Sequence, residues 1–264
     1  MKKILFLFTI VALFMAASCD DDQVLGDTGS VNLNFKAVYA GEPLVFQNSE
    51  FTYKYPESFP IRFNDLRFFI SEVALVEEEG SDEAVLFELD YLSFSENSTL
   101  EEAERATTYP LDNIPAGNYK ALKFSIGVPA DLNNDNFTDY GVNHPLRSNS
   151  GEYWSGWDSF IFMKINGSFD KDGDGLGMGD DASLGHHLGG DDYFKTVTLE
   201  KAIVVDPDQS ADLNITLDLV EFYQNDAGQI LDLTIPENWA THNTDNIEPL
   251  VFLTNNFERG FTIE

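Results

Sequence analysis

The hydrophobic pattern along the chain changes character twice. Residues 4–15 form an apolar run, broken only by Thr9, behind Lys2 and Lys3. From Val31 the pattern alternates instead: Val31, Leu33, Phe35 and Ala37 are separated by polar residues, the period of two that turns one face of a strand toward a core. Residues 61–76 predict one long strand, or two with a bend, with Phe63, Phe68, Ile70 and Val73 among the apolar positions. Residues 85–89, 107–111, 119–128, 159–165 and 193–205 continue the strand character, with a turn-forming cluster at Pro115-Ala116-Gly117-Asn118. In residues 213–219, Leu213, Ile215, Leu217 and Leu219 alternate with Asn214, Thr216 and Asp218. Residues 250–253 and 260–263 are expected to close the sheet. Residues 98–106 alone read as a helix, because Ser98 and Glu101 have capping-box spacing and acids crowd the first turn. Short strands divided by turn signals predict an all-β fold, an antiparallel β-sandwich or barrel with long loops and one short helix. With no internal repeat and no long linker, residues 31–264 read as a single domain.

The apolar N-terminal run is shorter than the roughly 20 residues a membrane-spanning helix needs. A basic start, an apolar stretch and the small residues Ala16-Ala17-Ser18 before Cys19 are the parts of a secretory signal. Cys19 is the only cysteine, and its place resembles that of a bacterial lipoprotein signal. That resemblance implies a signal peptide over residues 1–18, cleavage before Cys19 and lipidation of its sulfur. Residues 19–30, acidic and glycine-containing, would then form a tether. The expected location is the bacterial cell envelope, lipid-anchored at the outer membrane on its periplasmic face or at the cell surface. The acids Asp20, Asp21 and Asp22 resemble the surface-export signals of some lipoproteins.

Charge removes other classes of partner. Without the signal's two lysines, 13 basic residues face 46 acidic ones, a formal charge of −33. Such a chain cannot displace the counterions of a phosphate backbone, so nucleic acid is excluded. Anionic lipid would repel it, so the lipid on Cys19 would have to supply membrane attachment. A hydrophobic content of 43%, with 22 phenylalanines, is too high for a disordered acidic chain.

Two acidic loops have ligand-like spacing. Asp170, Asp172 and Asp174 fall at alternate positions before Gly175, and Asp181 stands twelfth from Asp170, where a calcium loop closes. Asp131, Asn133 and Asp135 form a weaker relative, with Asn136 in place of glycine. Calcium there would stabilise loops and perform no chemistry.

The remaining candidates are histidines and tryptophans. His144, His186 and His187 lie mid-chain around Trp154 and Trp157, and His242 near the C-terminus. Imidazoles suit copper or zinc. The blocks Asn143-His144-Pro145-Leu146, Tyr153-Trp154-Ser155-Gly156-Trp157, residues 160–167 and His187-Leu188-Gly189 follow one another in an order that resembles the MbnP family of periplasmic copper-binding proteins. The likeness extends to residues 65–71, to Pro115-Ala116-Gly117-Asn118-Tyr119, to Gly127-Val128-Pro129 and to Asn255-Asn256-Phe257.

The resemblance implies a β-rich domain that binds copper, and a di-haem cytochrome c peroxidase-like protein as partner. It makes His144 and His187 the metal ligands, with Trp154 or Trp157, oxidised to kynurenine, as a third group. Two departures bear on the geometry: Ser155 and Gly156 separate the tryptophans, and the Asp/Gly-rich insertion before His186 is long. His186 is an alternative ligand that strand alternation would point to the opposite face from His187. His242 has no matching motif. Two neutral imidazoles can hold Cu(I) in near-linear coordination, with Tyr153, Trp154 and Leu188 excluding water. Asp158 and Asp191, near in sequence, are candidates to orient the imidazoles.

The sequence thus predicts an envelope copper protein for acquisition, storage or delivery. The competing expectation is a calcium-stabilised sandwich that binds a glycan or a partner protein, with Trp154 as a stacking platform. An enzyme is not expected: the chain has no Gly-x-Ser-x-Gly elbow, no His-Glu-x-x-His pair and no phosphate loop.

Overall fold

The computed structural model describes residues 27–50, 52–56, 59–178, 180–241 and 246–264. The signal segment, Cys19 and His242 lie outside the described residues. None of the described helices is long and apolar enough to cross a membrane.

The chain runs through β1 (Thr28–Tyr39), β2 (Glu42–Pro43), β3 (Tyr53–Lys54), β4 (Pro60–Glu77) and β5 (Glu83–Ser93) to helix α1 (Leu100–Glu104). Strands β6 (Thr107–Pro115) and β7 (Gly117–Ile126) follow, then helices α2 (Ala130–Asn133) and α3 (Pro145–Ser148). Next come β8 (Tyr153–Trp154), β9 (Ser159–Phe169), β10 (Ala182–Gly189), β11 (Lys195–Val205) and β12 (Ser210–Asp218). Helices α4 (Glu248–Asn255) and α5 (Phe257–Gly260) lead into β13 (Phe261–Ile263).

These strands form two sheets. One orders β13-β12-β1-β2, with β6 also on β1; the other orders β10-β9-β4-β7-β11, with β3 and β5 also on β4. The pairings are antiparallel except β1 with β12, which is parallel from Ser30↔Ser210 to Val38↔Asp218. The sheets face each other across one core, where Val31, Leu33 and Phe35 of β1 and Ile215 and Leu217 of β12 meet Phe63, Phe68 and Ile70 of β4. The all-β sandwich expected from alternation is therefore the fold.

Strand β4 is one strand with two bulges. Its register shifts between Phe63 and Asp65 against β9 and between Ser71 and Ala74 against β7. Each extra residue swaps the faces, so Phe63, Leu66, Ile70 and Val73 all point into the core despite uneven spacing. Glu72 takes the positive φ of 50° at the second bulge. The opposite, outer face of this sheet carries a second apolar cluster, in which Phe69, Phe160 and Phe162 pack with Leu146 beneath the connection between β7 and β9.

Several expectations shift. Strand β1 begins at Thr28, inside the segment assigned to the tether. Helix α1 is shorter than expected, and its capping box is Thr99 with Glu102 and not Ser98 with Glu101. The Glu102 carboxylate accepts from the Thr99 N–H and from both the N–H and the hydroxyl of Ser98. Residues 250–253 are helical and do not close a sheet, because Pro249 opens α4 and Leu250, Leu253 and Phe257 recur at helical spacing on one buried face. Further short helices accompany α1, so the expectation of one helix was too low.

Candidate metal centre

The outer face of the larger sheet bears His187. Strand β10 is edge-on to β9, and its residues alternate: Ala182, Leu184, His186 and Leu188 are buried, while Gly185 and His187 are half-exposed. His187 faces Lys164 across the ladder, and Lys164 in turn faces Arg67 on β4. His187, Lys164 and Arg67 therefore share the outer face.

His187 is held at both ends of the residue. Thr241, itself buried, accepts from the His187 N–H at 2.8 Å and donates to the His187 carbonyl at 2.5 Å. The ring Nε2 lies 2.9 Å from Asn166 Oδ1, and Asn166 Nδ2 donates to Asp65 Oδ2 at 3.3 Å. Asp65, 9% exposed, also accepts from Ser95 Oγ at 2.5 Å and pairs with Arg67 at 3.1 Å.

His186 points the other way and is fully buried. Its Nε2 lies 2.8 Å from the Asn238 carbonyl and must donate; its Nδ1, 3.1 Å from the Tyr223 hydroxyl, then accepts. Both nitrogens are committed to the core, so His186 is not a metal ligand. It fills an apolar position of the strand, which is why β10 escaped a reading that counted histidine as polar.

His144 reaches the same outer face from the β7–β9 connection. It caps α3, its Nδ1 accepting from the Leu146 N–H at 3.3 Å, and its ring stacks on Tyr140 at 4.0 Å. Leu146 anchors this turn in the outer apolar cluster. At the end of the same connection Glu152, 7% exposed, pairs with Lys164 and, at 3.5 Å, with Arg67. The connection that bears His144 is thus bolted to the residue opposite His187. Burial, and then the Glu152 carboxylate, raise the pKa of the neighbouring Tyr91 hydroxyl far beyond the ordinary phenol range. The hydrogen bonds and ring contacts of His144 are to its own connection and do not include His187.

The tryptophans follow on the same connection, before β9. Trp157 N–H donates to the Trp154 carbonyl, closing a turn that sets the indoles edge-to-face at 4.3 Å. The two-residue spacing is what this turn requires. Gly156 is required too, since a Cβ there would stand 2.9 Å from the Trp154 indole. Trp157 packs on Gly189, two residues beyond His187, and a Cβ on Gly189 would meet its ring at 3.2 Å. Trp157 also walls an open cleft of about 450 Å³ with Asn133, Asp158, Asp191 and Tyr193. The carboxylates expected to orient the imidazoles do other work: Asp158 accepts from the Tyr153 hydroxyl at 2.5 Å, and Asp191 accepts from Asn133 and Asn134.

Of the two acidic loops, one has converging oxygens. Carboxylate oxygens of Asp170, Asp172 and Asp174 lie within 4.8 Å of one another. Burial opposes the charge on Asp170, but the N–H groups of Gly173 and Gly175 outweigh it and lower the Asp170 pKa. Desolvation and then the Asp172 carboxylate raise the pKa of Asp174. Asp181 accepts from the Gly177 N–H at 2.6 Å. The second loop is corrected. Asp131 and Asn133 sit on helix α2, where Asn133 is buried and bonded to Ser159, Asp191 and the Phe160 N–H, while Asp135 accepts from Tyr140.

Asn166, Asp65, Thr241 and Glu152 were missed as site residues. Asp65 and Asn166 stand inside conspicuous sequence blocks, yet only the cross-strand register that sets one opposite the other shows what they do.

Fold and site together define an all-β, two-sheet domain with His187 on the outer face of its larger sheet and His144 and the tryptophans on the connection between β7 and β9. The sequence pattern of the MbnP family matches residues 28–240, and the chain belongs to that family, a β-rich and copper-associated one of the cell envelope. Among solved structures, MbnP from Methylosinus trichosporium is similar: 14% identical, covering 84% of this chain and 87% of its own, with a TM-score of 0.47. No protein of curated function matches in sequence.

Proposed function

We propose that this protein binds copper in the bacterial envelope through His144 and His187, and serves in copper acquisition, storage or delivery. The observation that carries this reading is the support of His187: its ring bonds an amide that a nearly buried carboxylate orients, and its backbone is held by a threonine, on the face that the His144 connection covers. Such outer-sphere bonding is what ligating histidines need. The donors fit copper, which imidazole suits, and the chain's one cysteine lies far upstream. Trp154 and Trp157 stand beside the His187 strand and supply either the third group or a cover against water. The lipid on Cys19 tethers the domain, a di-haem cytochrome c peroxidase-like protein is its partner, and the domain performs no catalysis of its own. Titration with Cu(I) against a competing chelator tests the reading. His144→Ala and His187→Ala should each weaken binding at least tenfold while His186→Gln leaves it unchanged; equal affinity in all of them would refute it.

A second metal has one observation in its favour, the convergence of Asp170, Asp172 and Asp174. Calcium bound there would relieve the repulsion among these carboxylates and stiffen the loop before β10, as it would in the competing glycan- or protein-binding sandwich. Asp172→Ala with Asp174→Ala should abolish any calcium-dependent rise in melting temperature.

A further inference from the structure

We propose that the open cleft beside Trp157 binds a small alkylammonium ion, whether or not the domain binds copper. Trp157 and Tyr193 give the cleft two aromatic walls, and the carboxylates of Asp158, Asp191 and Asp192 line the same space. Its volume of about 450 Å³ falls within the roughly 300–1,000 Å³ of small-molecule sites. A second hollow of about 250 Å³ adjoins it through Trp157, Gly190 and Tyr193, and Ile247 and Leu250 make that hollow apolar. Among the described residues no lysine or arginine lines either one. The walls are set in advance: the Trp157 N–H donates to the Trp154 carbonyl at 3.1 Å, and the Tyr193 N–H to the Gly190 carbonyl at 2.9 Å.

Acids alone would say little, but the donors and acceptors of the polar wall decide the ligand's chemistry. Asn133, 3% exposed, spends its NH₂ group on Ser159 Oγ at 3.0 Å and Asp191 Oδ1 at 2.7 Å. Asn134 spends its own on the Ala130 carbonyl and, at 3.3 Å, on Asp191 Oδ2. The Ser159 hydroxyl donates to the Phe160 carbonyl at 2.8 Å, and the Gly190 N–H donates to Ser159 Oγ at 3.1 Å. These donors are used within the wall. The Asp191 carboxylate is thereby pinned through both oxygens, yet it stays exposed and keeps lone pairs to offer. An anion would meet repulsion, and a neutral sugar would find no amide or serine donor to bond its oxygens. An ammonium group meets acceptors and the negative faces of two aromatic rings, while a short alkyl chain has the hollow at Ile247 and Leu250. The same group can arrive as a free amine or as the lysine side chain of another protein.

Titration of the metal-free protein with n-butylammonium, followed by the Trp157 indole and Tyr193 ring resonances, tests the proposal. Both should shift, and the affinity should exceed that for the neutral 1-butanol by about tenfold, the worth of one charge-assisted contact. Added salt should weaken binding. Trp157→Leu should abolish it. Asp192→Asn alters an exposed side chain and keeps its size, so it tests the acids without unfolding the domain; it should weaken binding severalfold. Nα-acetyl-lysine amide separates the sources: binding as tight as butylammonium fits a lysine of a partner, and binding of butylammonium alone fits a free amine. No shift with butylammonium in the wild-type protein would overturn the proposal. So would equal affinity for 1-butanol, tighter binding of methyl glucoside, or an unchanged affinity in a folded Asp192→Asn protein. None of these results depends on whether His144 and His187 bind copper.

Discussion

Replacing Glu152 by alanine should unbolt the His144 connection from the sheet. Glu152 and Lys164 side chains are 9% and 13% exposed, so this ion pair is largely out of water. Arg67, at 35%, is better solvated and its 3.5 Å contact adds little. Removing one partner of a buried pair typically costs about 3–5 kcal/mol, most of it from the charge left behind. The lower end applies, because Lys164 keeps some access to solvent. A loss of about 3 kcal/mol corresponds to a melting temperature lower by about 6–12 °C for a domain of this size. Urea unfolding at neutral pH reads the free energy, and hydrogen exchange at the Leu146 and Asn149 amides reads the release of the connection. Glu152→Leu with Lys164→Met should recover most of the loss, since the penalty belongs to the unpaired charge. A loss below about 1 kcal/mol for Glu152→Ala, or a double variant no better than the single, would refute the reasoning.

Other parts of the account can be checked separately. Gly167→Ala would place a Cβ 2.3 Å from the Arg62 carbonyl in the adjacent strand, a backbone atom that cannot yield, and should cost at least about 2 kcal/mol in chemical denaturation. Tyr223→Phe removes the donor to buried His186 Nδ1 and should cost about 1–3 kcal/mol with copper affinity unchanged. Its hydrogen bonds from Thr99 and Ser98 hold the Glu102 carboxyl below its ordinary value of 4.5, so its capping contribution is present above that pH and lost as pH falls through the lower folded value. Amide shifts of Ser98 and Thr99 should report this acid fraying of α1, and Glu102→Gln should abolish the titration.

The strands were legible where alternation was clean. Val31 to Ala37 and Leu213 to Leu219 show it, and both became inner faces of the sandwich. The bulges of β4 were not legible, because an extra residue at Asn64 or Glu72 looks like noise in a period of two. Strand β10 was hidden by a histidine in an apolar position, and α4 by an apolar run too short to show its period without the Phe257 beyond it. The ligand candidates were visible as a series of motifs, but their second sphere was not. What joins Asp65, Asn166 and His187 is register across three strands, more than 100 residues apart in the chain for the first pair and 21 for the second. The Asp131 loop failed for a related reason: spacing alone did not reveal that Asn133 is spent on bracing Ser159 and Phe160.

The most direct test of the central claim is metal analysis of the mature chain purified from its own host without chelator, beside the His144→Ala and His187→Ala proteins. About one copper per chain, absent from both variants while their circular dichroism is unchanged, is the predicted result. Copper retained by the variants, or a wild-type protein that takes up none even after loading, would contradict it.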